Sequence, residues 1–197
     1  MPANPSSHRH GPVAWGWLPH APRAPGEALA RVWLAAQLGL DDPAALALVR
    51  DARGKPRLAG PHAGLDCNWS HSGDGLVVAL ADGVDVGVDL ERVRPRPRAL
   101  ELAGRFFTAT ERDWLAAQPD AGARERSFVR LWCAKEAVLK AHGHGLAFGL
   151  HRLRFAERDG ALALVECDAA LGPVARWTLH ELRPADGYVG ALAWRAR

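Results

Sequence analysis

Cysteine is scarce in this chain, and its three thiols, Cys67, Cys133 and Cys167, share no close spacing. An odd count with no paired C-x-x-C argues against a disulfide framework, a zinc knuckle or a redox motif. Three reduced, mostly buried thiols fit a cytosolic chain. Long apolar runs are also missing, because charge, glycine or proline interrupts each one well short of a membrane span. The opening MPANPSSHRHGPVAWGWLPH lacks the apolar core of a signal peptide, and residues 1–12 read as a loosely ordered lead-in. Charge of one sign does not dominate either. The formal net charge is +3 and the sequence pI is near 9.1. No dense basic tail or stripe of the nucleic-acid-binding kind accompanies it. Neither nucleic acid nor a membrane is therefore an expected partner. A glycine-rich phosphate loop of the Walker or kinase type is absent as well, which counts against use of a nucleoside triphosphate.

What is present suffices for a sizeable core: 48% of the 197 residues are hydrophobic, enough for one compact unit or two small packed ones. Leu29, Val32, Trp33 and Ala36 fall at helical spacing between Pro25 and Leu40. Asp42 before Pro43 predicts a capped short helix through Val49, and RDARGKPRL a turn between short extended segments. From Leu65 the pattern becomes β. LVVALA and Val84 to Leu90, separated by Gly83, predict a hairpin. The Arg92–Arg98 run, RVRPRPR, reads as an extended connector between an N-terminal half (13–92) and a C-terminal half (93–197). The second half opens with RALELAGRFF, and Thr110 reads as the cap of a helix ERDWLAAQ. A long helix follows from about Arg124 to His142, closed by Gly143, and then strands in Phe148 to Phe155, LALVEC, ARWTLHEL and YVGALAW. Helix followed by strands occurs twice, which suggests an α+β fold built from a duplicated unit.

In Val86 to Glu91 the apolar residues fall on one strand face, and Gly87, Asp89 and Glu91 on the other. Two carboxylates so close repel unless a cation lies between them. Gly87 leaves room for something to approach the backbone. A solvent-facing acidic strand end paired with Arg92 or Arg94 would explain the same residues. On the long helix, Phe128, Trp132, Glu136 and Lys140 fall four residues apart, so Glu136 projects beside bulky core residues. Its plain explanation is an i, i+4 salt bridge to Lys140. With Lys135 adjacent, the alternative is a site for a metal and an anionic ligand. Oxygen donors without thiols suit a hard ion such as Mg²⁺, completed by water and phosphate oxygens. Arg50 and Lys55 near a Gly-Lys-Pro turn, and Ser70 and His71 at a strand end, are consistent with phosphate. His142 and His144 read as helix-end residues.

VGVDLE (Val86 to Glu91) and WCAKEAVLK (Trp132 to Lys140) resemble the two signatures of the 4′-phosphopantetheinyl transferases. RFFTATE between them, GKP at Gly54 to Pro56, NWSHSGD at Asn68 to Asp74 and GHGLAFGL downstream are similar to further family segments. Together they cover most of residues 54–150. The length resembles the Sfp type, in which two similar helix-plus-antiparallel-sheet halves pack as a pseudo-dimer within one monomer and form the active site between them. The resemblance implies transfer of the phosphopantetheine arm of coenzyme A to a serine of an apo acyl, peptidyl or aryl carrier protein, with release of adenosine 3′,5′-bisphosphate. By motif position Asp89, Glu91 and Glu136 would hold Mg²⁺ or Mn²⁺. Glu136 would also be the general base, directly or through water, and Lys140, assisted by Lys135, would neutralise the pyrophosphate. Arg50, Lys55, Asn68, Ser70 and His71 would hold coenzyme A. One departure is Glu27, where many relatives carry a basic residue one turn before Arg31; Arg31 or Arg23 would have to compensate. A different Mg²⁺-dependent phosphotransferase, and a non-catalytic coenzyme A or carrier-binding protein on this scaffold, are the alternatives.

Overall fold

A computed structural model of the chain describes residues 7–21 and 24–197. Residues 1–6 of the expected lead-in, and Arg23, lie outside the described residues. Residues 7–10 of that lead-in are not loose: β1 (Ser7–His10) pairs antiparallel with β2 (Val13–Pro19).

After α1 (Gly26–Gln37), the expected helix beyond Pro43 is only the single 3₁₀ turn Pro43–Ala45, capped by the Asp42 carboxylate. The chain then turns extended through β3 (Leu48–Arg50) and β4 (Pro56–Leu58). The strands β5 (Leu65–Ser72), β6 (Gly75–Asp82) and β7 (Val84–Arg92) follow in succession. The helices α2 (Ala99–Phe106), α3 (Ala109–Ala116) and α4 (Ala121–His142) come next. Last are β8 (Leu153–Arg158), β9 (Ala161–Cys167), β10 (Trp177–Leu182) and β11 (Tyr188–Ala196).

The expected β6–β7 hairpin does not form. β6 lies in a four-stranded sheet ordered β1-β2-β6-β5, and β7 crosses at Gly83 into a second sheet ordered β10-β11-β7. The cause lies in side-chain pattern. Val84, Val86, Val88 and Leu90 pack face to face against Val77, Ala79 and Ala81 of β6, so the two strands stack across a core instead of sharing hydrogen bonds. The sheets thus divide at Gly83, upstream of the Arg92–Arg98 connector. The cap of α3 also differs from expectation. Thr108, not Thr110, accepts from the Glu111 amide, and Glu111 returns a carboxylate to the Thr108 amide.

The result is two helix-and-sheet modules. α1 covers the outer face of the first sheet through Ala30, Trp33 and Leu34 against Cys67, Leu76 and Val78. α4 covers the second sheet through residues such as Phe128, Leu131 and Ala134 together with Ala191 and Ala193. α4 is anchored by an Asp120 cap and stops at Gly143, whose φ of 83° needs no side chain. It lies very close to β7. A Cβ at Gly87 would stand 2.1 Å from the Ala137 carbonyl oxygen and 2.3 Å from the Ala141 nitrogen. The room that Gly87 leaves is filled by the helix backbone.

Candidate active site

The site grows from an unusual strand edge. β7 pairs with β11 on one side only, and its other edge must satisfy its amides and carbonyls elsewhere. Side chains of β5 do this. The Val86 amide donates to Asp66 (2.7 Å), the Val88 amide to Asn68 (3.0 Å) and the Arg92 amide to Ser72 (3.1 Å). Because the pairs ascend together, β5 and β7 run parallel across the junction of the two sheets. Two lysines complete the carbonyl side: Lys55 donates to the Val86 oxygen at 3.1 Å, and Lys140 to the Val88 oxygen at 3.3 Å. This side-chain seam carries Asp89 and Glu91 to where α4 presents Glu136 and Lys140.

Lys140 does not bridge to Glu136. Its three N–H donors go to Asp89 Oδ1 (2.6 Å), Ser70 Oγ (3.0 Å) and the Val88 oxygen. Ser70 in turn donates to Asp89 Oδ1 at 2.9 Å. Asp89 Oδ2 is buried and has no hydrogen-bond partner among the described residues. Glu136 is buried. Burial pushes its carboxyl up to about 7, helped by the Asp89 and Glu91 charges and opposed by Lys140. Glu91 is also raised, by burial first, with Arg96 pulling the other way and Asp89 adding to the rise. Glu91 pairs with Arg96 at 2.8 Å, rather than with Arg92 or Arg94, and accepts from Ser72 at 3.3 Å. Three carboxylates therefore share one polar recess, with an orphaned oxygen among them and too few cations. Among the described residues no three His, Cys, Asp or Glu side chains are gathered closely enough to cage a metal unaided. An oxygen-only set with one unpartnered buried oxygen fits a hard ion that keeps water and phosphate as its other ligands.

The other two lysines are committed. Lys55 Nζ donates to Asp66 (2.6 Å) and to the Val86 and Ala141 oxygens, which uses all three of its donors and ties β4, β5, β7 and the end of α4 together. Lys135 points away from the carboxylates. Its ammonium is fully buried, paired with Glu111 at 2.8 Å and bonded to the Leu150 and Leu153 oxygens. Burial pulls its pKa down to about 8 against the opposing pull of Glu111. Glu111 further accepts from the Phe155 amide. The Lys135–Glu136–Lys140 cluster expected from the sequence is thus split between a structural knot and the recess.

Beside Lys140 opens a cavity of about 230 Å³ lined by Arg50, Arg53, Lys55, Asn68, Trp69 and Lys140, among others. The Arg50 guanidinium lies over the Trp69 ring at 5.4 Å. It is also held by Glu27 at 2.7 Å and by the Gly54 oxygen. The Glu27 carboxyl is thereby lowered from its ordinary value, with the Arg50 hydrogen bond the largest cause. His71 is exposed and stacks on buried His20 with ring centroids 4.7 Å apart. Its pKa is lowered by partial desolvation, then by His20 and Lys140. Asp66, Ser72, Trp69 and Arg96 are neighbours of the site that motif reasoning missed. Asp66, Asn68, Ser70 and Ser72 nevertheless form a polar i, i+2 stripe on β5, which was the available signal.

A signature strand and a signature helix are thus brought together around acidic and basic groups, and comparison with known proteins gives the family. The profile of the 4′-phosphopantetheinyl transferase superfamily matches residues 85–193. The 4′-phosphopantetheinyl transferase HetI of Nostoc sp. (strain PCC 7120) is 36% identical over 170 residues, covering 85% of this chain and 68% of the relative. A phosphopantetheinyl transferase of Thraustochytrium sp. is 35% identical over 170 residues, 80% of this chain and 58% of the relative. The L-aminoadipate-semialdehyde dehydrogenase-phosphopantetheinyl transferase of Homo sapiens is 34% identical over 117 residues, 55% of this chain and 38% of the relative. The chain belongs to the 4′-phosphopantetheinyl transferase superfamily. It spans between about a third and two thirds of the length of these curated relatives. Among the described residues no helix is long and apolar enough to cross a membrane.

Proposed function

We propose that this chain transfers the 4′-phosphopantetheine arm of coenzyme A to a serine of an apo carrier protein and releases adenosine 3′,5′-bisphosphate. The observation that carries the reading is the recess itself: Asp89, with an unpartnered buried oxygen, faces Lys140, while buried Glu136 is held near neutrality. Asp89, Glu91 and Glu136 would hold Mg²⁺ or Mn²⁺, which when bound neutralises charge on the coenzyme A pyrophosphate and polarises it for attack. Glu136 would take the proton of the carrier serine, directly or through water. The serine oxygen forms a bond to phosphorus as the phosphoanhydride P–O bond breaks, and the electron pair leaves on adenosine 3′,5′-bisphosphate. Lys140 balances charge on the reacting phosphate, and Ser70 orients both Lys140 and Asp89.

The cavity of Arg50, Arg53 and Trp69 would offer cations and an aromatic face to the nucleotide end, and exposed His71 would hold a terminal phosphate. Lys55 would act there as a wall, since its three donors are spent inside the protein, whereas Asn68 gives only its Oδ1 to β7 and would offer its Nδ2 to coenzyme A. Lys135 would act through Glu111, by fixing α4. The two helix-and-sheet modules would correspond to the pseudo-dimeric halves of an Sfp-type monomer working in the cytoplasm, with the active site between them. Incubating the protein with coenzyme A, Mg²⁺ and apo acyl, peptidyl or aryl carriers tests this. One carrier should gain the mass of a phosphopantetheine arm, and carriers left at apo mass throughout would refute it.

A further inference from the structure

We propose that Arg96 is a tethered counter-ion that holds Glu91 until a divalent metal displaces it. This rests on the metal role proposed for Glu91. The Arg96 guanidinium donates to Glu91 Oε2 at 2.8 Å through Nη2, while its own Nε is buried without a partner among the described residues. The pair is partly exposed, with side chains 30% and 25% accessible, so it exchanges with solvent ions rather than forming a sealed knot like Lys135–Glu111. A divalent cation approaching Glu91 meets the repulsion of the guanidinium already held on Oε2, so the two positive groups compete for the carboxylate.

Sequence and surroundings favour such a tether. Arg96 lies between Pro95 and Pro97, and a residue before proline is confined to extended backbone, so the guanidinium is presented from a stiff support. A stiff tether keeps its local concentration high. The side chain has room to leave. It lines a cavity of about 320 Å³ with Ser72, Gly73, Arg92 and Arg94 on one side. A second cavity of about 250 Å³ on the other side is lined by Glu125 and Arg124 among others. Released from Glu91, the guanidinium would turn toward the cavity it shares with Glu125.

Mn²⁺ binding followed by electron paramagnetic resonance, with saturating coenzyme A present, tests this. Wild type is compared with Arg96→Gln, Arg96→Lys and Arg94→Gln. Arg94 is exposed and removes the same charge from the same connector. Arg96→Gln should bind Mn²⁺ about 2- to 5-fold tighter, the range of a partly exposed ion pair. Arg96→Lys should stay near wild type, and Arg94→Gln should move less than Arg96→Gln. In wild type the Arg96 Nε–H resonance should shift on adding Mg²⁺ and coenzyme A. Equal tightening in Arg94→Gln, or no tightening in Arg96→Gln with wild type still binding Mn²⁺, overturns the counter-ion role alone. Loss of Mn²⁺ binding in every protein, wild type included, overturns the metal reading and the counter-ion role with it.

Discussion

Replacing Gly87 with alanine adds one carbon where the backbones of β7 and α4 meet. That carbon would sit 2.1 Å from the Ala137 oxygen, 2.3 Å from the Ala141 nitrogen and 3.0 Å from the Ala141 Cα, all of them backbone. No flexible side chain can yield there. β7 and α4 must separate by about 0.9 Å or more to relieve the contact, which is overpacking of the kind that costs about 1–3 kcal/mol, and here the upper end is expected. For a chain of this size that lowers Tm by roughly 6–10 °C. The same displacement pulls Lys140, which is on α4, from Asp89, which is on β7. A misplacement of about 1 Å in a reacting geometry costs on the order of 100-fold in rate. Thermal unfolding by circular dichroism and phosphopantetheine transfer to an apo carrier measure the two effects. A Gly87→Ala protein with wild-type Tm and wild-type turnover would refute the account of how α4 and β7 set the site.

Lys135→Met strands the Glu111 charge in the core, where it is 1% exposed, and should cost about 3–5 kcal/mol in urea unfolding; adding Glu111→Gln should recover part of it. Unchanged stability in the single variant would remove the structural role. Lys55→Met should lower stability while leaving coenzyme A affinity by calorimetry within about 3-fold of wild type, because its ammonium is fully engaged inside the protein. A large loss of affinity without loss of stability would return Lys55 to direct ligand contact. In metal-free protein burial raises the Glu136 carboxyl from its ordinary 4.5 to about 7, so the folded state binds its proton more tightly. Its contribution to stability is therefore present below about pH 4.5 and is lost as pH rises through about 7. Urea midpoints in EDTA should show this decline, and Glu136→Gln should flatten it.

The alternation of Val86 to Glu91 and the long amphipathic run ending at Gly143 were legible in the sequence, because each depends on a local period and a local cap. The union of Asp89 with Lys140 was not, since Lys140 had an equally good local partner in Glu136. The choice between them is made by the depth of α4 against Gly87. Pairing of β6 with β7 failed for a related reason. A turn signal at Gly83 does not distinguish a hairpin from a crossing between stacked sheets, and only the two matched apolar faces decide it. Thr108 and Glu111 show a capping signal that was present and passed over, as S/T-x-x-E begins at Thr108. The roles of Lys55 and Asn68 required knowing that β5 lies beside the free edge of β7, which no local pattern states.

The central claim is that Glu136 and its carboxylate neighbours act on coenzyme A beside Lys140. Its most direct test is the carrier mass after incubation of wild type and Glu136→Gln with coenzyme A, Mg²⁺ and an apo carrier, with EDTA in a parallel set. The account predicts a phosphopantetheinylated carrier from wild type with Mg²⁺. It predicts apo carrier from Glu136→Gln at unchanged far-ultraviolet circular dichroism, and apo carrier from wild type in EDTA. Full modification by Glu136→Gln, or in EDTA, would contradict it.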